Sequence, residues 1–112
     1  MQLGRALTFL TLTPIAFSFK IRAFSGDKCT GSAKEINIWD NSCRTTSLPT
    51  TRSFRVLAYG AHRQRATFYG APACYPNKNE KDWWADGGSN VFKKGDCVSL
   101  YFNAKAYGSR SA

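Results

Sequence analysis

The first eighteen residues, MQLGRALTFLTLTPIAFS, constrain everything that follows. Arg5 supplies a short positive region, residues 6–17 form an apolar stretch, and Ala16 and Ser18 occupy the −3 and −1 positions where signal peptidase requires small side chains. This layout predicts a secretory leader over residues 1–18 and a mature chain beginning at Phe19. The stretch is shorter than the ~20 apolar residues that cross a bilayer, and no later segment qualifies. Export places Cys29, Cys43, Cys74 and Cys97 in an oxidising compartment, so they are read as two disulfides. A zinc site is disfavoured because no two cysteines are separated by the short gap of a zinc knuckle. Four cysteines allow three connectivities. Local pairing would join Cys29 to Cys43 and Cys74 to Cys97, whereas pairing across a duplicated unit would join Cys43 to Cys74 and Cys29 to Cys97.

Taking 18 from 112 leaves 94 residues, enough for one domain over residues 19–112. A domain of this size buries only ~60–65% of its unfolded surface, so two disulfides that each contribute ~2–4 kcal/mol matter to its stability. The chain carries 16 Lys and Arg against 7 Asp and Glu, a net charge of +9, and losing Arg5 with the leader leaves +8. Such an excess favours an anionic membrane, a cell-wall polyanion or an acidic protein as partner. Nucleic acid is the less favoured polyanion, and a monomer is expected.

No segment of the mature chain shows a helical period. Short alternating or β-branched runs at 20–24, 35–39, 53–59, 65–69, 90–92 and 97–102 are separated by clusters of Gly, Pro, Asn, Asp and Ser. The pattern predicts an all-β, compact antiparallel sandwich of six to eight strands. Residues 79–85, NEKDWWA, read as the one helical turn, with Gly87 and Gly88 ending it, and residues 103–112 read as a flexible tail. The halves echo each other. At an offset of 31 residues, EINIWDNSC overlays ATFYGAPAC, and at 35 residues IRAF overlays VLAY.

The run Phe24-Ser-Gly-Asp-Lys-Cys29-Thr-Gly31-Ser32 resembles the Greek-key signature of the βγ-crystallins: an aromatic, a glycine seven residues on, and a large residue two before that glycine, where Cys29 stands in place of the family's usual second aromatic. Tyr59 to Ala66 resembles a second copy in which alanine replaces the glycine. The resemblance implies two Greek keys and a glycine in a conformation that other residues resist. It also raises calcium, but Asp40-Asn41 is followed by Arg44 where a hydroxyl ligand belongs, and Asp96 and Ser99 supply too few oxygens for a cation that takes six to eight. Neither a metal nor another cofactor is therefore assigned.

The wider resemblance is to small secreted cysteine-rich fungal proteins, which include effectors, killer toxins and antifungal proteins. It implies a virulence effector or toxin-like protein acting on a host or competitor surface, with membrane damage as the alternative. A secreted ribonuclease is the remaining option, using His62, Glu35 or Glu80, Arg63 and Arg65 on a phosphodiester. His62 falls in a turn, so no catalytic residue is assigned.

The basic and aromatic residues are the candidates for binding. Arg52, Arg55, Arg63 and Arg65 are expected around one hairpin, with Arg55 and Arg65 facing solvent, and Lys93 and Lys94 in a turn. Trp83 and Trp84 are adjacent. If extended, they point opposite ways, one into the core and the other toward a partner.

Overall fold

A computed structural model of the chain describes residues 17–76 and 78–111. The leader expected over 1–18 therefore lies outside the described residues, except for its last two. Eight strands form: β1 (Ser18–Phe24), β2 (Ala33–Trp39), β3 (Ser42–Arg44), β4 (Thr51–Ala58), β5 (Gln64–Tyr69), β6 (Glu80–Trp84), β7 (Cys97–Ala104) and β8 (Ala106–Ser111). They build two four-stranded antiparallel sheets, ordered β2-β1-β4-β7 (sheet A) and β3-β8-β5-β6 (sheet B). Each half of the chain contributes three strands to one sheet and lends its third strand, β3 or β7, to the other. This is the all-β antiparallel sandwich of six to eight strands that the strand pattern predicts, and its strand exchange gives the two Greek keys that the resemblance implies.

Alternation selects which side of each strand is buried. Phe19, Ile21 and Ala23 of β1 are buried and pair with a strand on which Ile36 and Ile38 are buried, while Lys20, Arg22 and Glu35 point outward. The core forms where the sheets meet. Phe54 of sheet A stacks on Phe68 of sheet B with ring centroids 4.5 Å apart, and Trp83 packs 6.0 Å from both. Phe92 closes on Phe19 edge to face at 5.4 Å. Phe92 was expected in a strand at 90–92 but lies in a turn: the Ser89 hydroxyl accepts hydrogen bonds from the amides of Val91 and Phe92, at 3.0 and 3.1 Å, and so bends the chain.

Three further expectations are corrected. Residues 80–84 of the expected helical turn form β6, whose Asp82 is satisfied across the sheet by Arg65 and Thr67 rather than at a helix start, with Trp84 opposite Arg65. Residues 106–111 of the expected flexible tail form β8, a central strand between β3 and β5 with Ala106, Tyr107, Gly108 and Ser109 buried. β3 lies in a stretch read only as turn.

The glycine of the motif holds the expected conformation that other residues resist. Gly31 has φ +87°, and a Cβ there would lie 2.5 Å from the Ser25 hydroxyl. It lets the β1–β2 hairpin fold over sheet A, where the Cys29 amide donates to Ser53 Oγ at 2.8 Å, Ser53 Oγ donates to the Gly26 carbonyl at 2.6 Å, and the Lys28 amide donates to Ser99 Oγ at 3.1 Å. The second copy does not fall where the motif placed it, because Ala66 lies inside β5. The structural counterpart of Phe24 is Tyr69, each ending the first strand of its half and each five residues before a cysteine. The offsets of 31 and 35 residues therefore overlay non-equivalent strands, whereas Phe24/Tyr69 and Cys29/Cys74 are both 45 apart.

The disulfides follow this symmetry. Cys29 pairs with Cys97 and Cys43 with Cys74, with Cα atoms 6.1 and 5.9 Å apart. Each bridge fastens the first hairpin of one half to the third strand lent by the other, so the strand exchange is covalently locked twice. Two such bridges fit an extracellular protein, and no helix among the described residues is long and apolar enough to cross a membrane.

Candidate anion-binding surface

The arginines expected around one hairpin are divided, because β4 and β5 do not pair with each other but belong to different sheets. Arg52 and Arg55 leave β4 on the outside of sheet A. Arg63 and Arg65 sit at the start of β5 and accompany sheet B. Arg52 bonds Asp27 at 2.9 Å and Asn103 at 3.0 Å, which commits it to holding the β1–β2 hairpin. Arg55 donates to the Gly95 carbonyl at 2.6 Å and thereby sits beside the turn that carries the exposed Lys93 and Lys94. That turn is fixed to β4: the Gly95 amide donates to the Val56 carbonyl at 2.8 Å, and the Lys94 amide donates to the Tyr59 hydroxyl at 2.9 Å.

The two tryptophans part as strand geometry requires. Trp83 turns inward and packs, partly buried, against Phe54 and Phe68. Trp84 turns outward, half-buried, opposite Arg65. The guanidinium carbon of Arg65 lies 4.2 Å from the Trp84 ring centroid and that of Arg63 lies 5.4 Å from it, so two cations lie over one indole. Arg65 is oriented by a forked pairing to both oxygens of Asp82, at 3.2 and 2.5 Å, and Asp82 also accepts from Thr67 at 2.9 Å. Arg110 on β8 stands directly across from Arg65.

Gln64 anchors the loop that presents Arg63. Fully buried, it accepts from the Ala61 amide at 2.7 Å and donates to Ser109 at 2.7 Å, spanning from the loop to β8. Asp86 closes the same loop by accepting from the amides of Arg63 at 2.8 Å and Gly88 at 2.9 Å. Those two amides hold its carboxyl below the ordinary carboxylate range. His62, exposed, approaches Asp86 at 3.9 Å. His62, Arg63, Trp84, Asp86 and Gly88 line an open recess of about 280 Å³. A larger recess of about 470 Å³ lies along the free edges of β6 and β7, among Lys81, Trp83, Val91 and Val98.

Of the residues weighed for ribonuclease chemistry, His62 and Arg63 share one recess with Arg65 beside them, but Glu35 does not join them. Glu35 lies on the outside of sheet A, bonded to Arg22 at 2.8 Å and Lys20 at 3.2 Å, and those partners lower its pKa. His62 belongs to the loop before β5 in sheet B. Asp40, weighed for calcium, is engaged with the Asn41 amide and the Ser111 hydroxyl. Among the described residues no three His, Cys, Asp or Glu side chains converge on a common point.

Sequence reasoning did not select Arg22 or Arg110. Arg110 lay in the stretch read as a tail, and only the cross-strand register brings it to Arg65. No protein-family model, curated protein or solved structure matches this chain.

Proposed function

We propose that this is a secreted, cationic binding protein of the effector or toxin type, which docks on an anionic surface outside the cell. The observation that carries the reading is Trp84, turned outward from β6 with Arg63 and Arg65 over its ring and Arg110 beside them. An indole beside forked guanidiniums offers an apolar plane for stacking next to groups that grip carboxylate or phosphate. The leader-like N-terminus, the two disulfides and the net charge of +9 support the same reading. Fungal origin rests on the resemblance of the sequence to small secreted cysteine-rich proteins.

The test uses protein secreted from a eukaryotic host, with its N-terminus determined. It is titrated onto immobilised anionic and neutral polymers in low salt and at ~0.15 M, where screening removes loose adsorption. Retention on the anionic polymer at the higher salt, lost in Trp84→Ala, is the expected result. Equal retention on both polymers, or indifference to Trp84→Ala, would sink the proposal. The same preparation is then applied to yeast and filamentous fungi. Growth inhibition that disappears after reduction assigns a toxin role, and binding without inhibition assigns a host-directed effector.

A further inference from the structure

On both outer faces of the sandwich, arginine stands against arginine. In sheet A, Arg22 of β1 is directly opposite Arg55 of β4, and in sheet B, Arg65 of β5 is directly opposite Arg110 of β8. Like charges in that relation oppose strand pairing. Each pair is only half neutralised: Glu35 takes Arg22 at 2.8 Å and Asp82 takes Arg65 at 2.5 Å. Arg55 reaches only a carbonyl, and neither Arg55 nor Arg110 forms an ion pair within 4.0 Å among the described residues. The unfavourable pairing occurs twice, each time between the first and fourth strands of a half. Because the sheets pack face to face, the two patches point in opposite directions.

We infer that the protein has two anion-binding faces and cross-bridges an acidic polysaccharide, one chain on each face. The inference rests on the function proposed above, from which it takes the face of sheet B, and it adds the face of sheet A with Lys20, Arg22, Arg55, Lys93 and Lys94. Charge complementarity calls for an anionic occupant, and the geometry selects a polymer. A flat bilayer or a globular partner meets one face of a sandwich at a time, whereas a chain bearing a carboxylate on each sugar can reach both faces of successive protein molecules. The guanidinium fork matches a carboxylate, and the recess beside Trp84, about 280 Å³, has room for a sugar ring against the indole. Engagement at two faces raises the avidity for long chains without any new contact.

The experiment compares a galacturonate trimer with polygalacturonate, using the secreted full-length product. Calorimetry is expected to count two trimers per protein, and the polymer is expected to turn the solution turbid. Arg55→Gln and Arg110→Gln should each reduce the count from two to one and abolish turbidity. Arg110→Gln should melt at or above the wild-type temperature, because it relieves a like-charge pair and orphans no carboxylate, and Arg55→Gln should stay folded and melt close to it, since relief of its like-charge pair offsets the lost bond to the Gly95 carbonyl. A count of one that Arg110→Gln removes and Arg55→Gln leaves intact would refute the second face while sparing the proposed function. Binding to vesicles of phosphatidylserine and phosphatidylcholine, with none to trimer or polymer, would overturn the polysaccharide. No binding to either probe would overturn the proposed function and this inference with it.

Discussion

Removing the Cys29–Cys97 bridge, by the paired change C29A/C97A, tests how the fold is held. The two disulfides are nested, with sequence separations of 68 and 31 residues. Considered alone, restriction of the unfolded chain gives about 4.4 kcal/mol for the outer loop and about 3.7 kcal/mol for the inner one. Nesting changes both values. With Cys43–Cys74 intact, the path that Cys29–Cys97 closes shortens to about 37 residues, 68 less 31, and the outer bridge contributes about 3.8 kcal/mol. With the outer bridge intact, the inner one divides a ring into arms of 31 and about 37 residues, which act in parallel like a loop of about 17, and it contributes about 3.1 kcal/mol.

C29A/C97A should therefore lose about 4 kcal/mol, C43A/C74A about 3 kcal/mol, and the chain without either bridge about 7.5 kcal/mol, which is comparable to the whole stability of many domains. For a domain of this size the first change corresponds to a fall of roughly 15–30 °C in melting temperature. Urea unfolding followed by tryptophan fluorescence, together with thermal scans by near-ultraviolet circular dichroism, measures both quantities. The urea slope should rise in each variant, since the unfolded chain exposes more surface once a bridge is gone. A loss below about 1 kcal/mol in C29A/C97A would refute the reasoning, because no nested loop of this length restricts the unfolded chain so little.

Tyr107 is fully buried and its hydroxyl donates to Thr51 Oγ1, which itself donates to the Pro49 carbonyl at 3.0 Å. Burial pushes the phenol up to about 12, so the fold favours the neutral form; that contribution is complete below pH 10 and is lost between pH 10 and 12. Tyr107→Phe should cost about 1 kcal/mol at neutral pH by leaving Thr51 without its donor. The deficit should vanish and reverse as the pH is raised through 12, and paired urea titrations across that range will show whether it does. Trp83→Ala should lose roughly 2–4 kcal/mol through the gap left against Phe54 and Phe68, whereas Trp84→Ala should lose less than about 1 kcal/mol and yet abolish binding. Equal stability losses in the two would contradict their opposite orientations. Gly31→Ala should cost about 1–3 kcal/mol, since its φ of +87° is one that L side chains avoid and the new Cβ would meet Ser25; an unchanged melting temperature would argue against that hairpin geometry.

The strands that show in the sequence are those in which bulky apolar residues alternate with charged ones, as Phe19, Ile21, Ile36 and Ile38 do against Lys20, Arg22 and Glu35. β8 does not show because its partners forbid bulk. A Cβ at Gly108 would stand 3.0 Å from the Tyr69 ring and 3.4 Å from the Cys74 sulfur, so the strand that the second hairpin covers must be small there, and AYGSRS reads as a tail. β6 is concealed differently: Asn79, Glu80 and Asp82 look like the acidic first turn of a helix until Arg65 and Thr67 are found across the sheet to receive Asp82. That Arg55 and Arg65 face solvent follows from alternation within each strand. That they lie on opposite sides of the molecule follows only from the chain crossing between sheets after β4, a choice made by contacts distant in sequence. The arginine pairs belong to the same category. Arg22 and Arg55 are 33 positions apart and Arg65 and Arg110 are 45 apart, so local patterning registers them as isolated surface charges. Their opposition exists only once the Greek keys close, and the closed fold thus carries a charge arrangement that no local propensity selects and that pairing alone disfavours. The two half-neutralised pairs place uncompensated positive charge on both outer faces, where an anionic chain on each would supply the missing countercharge.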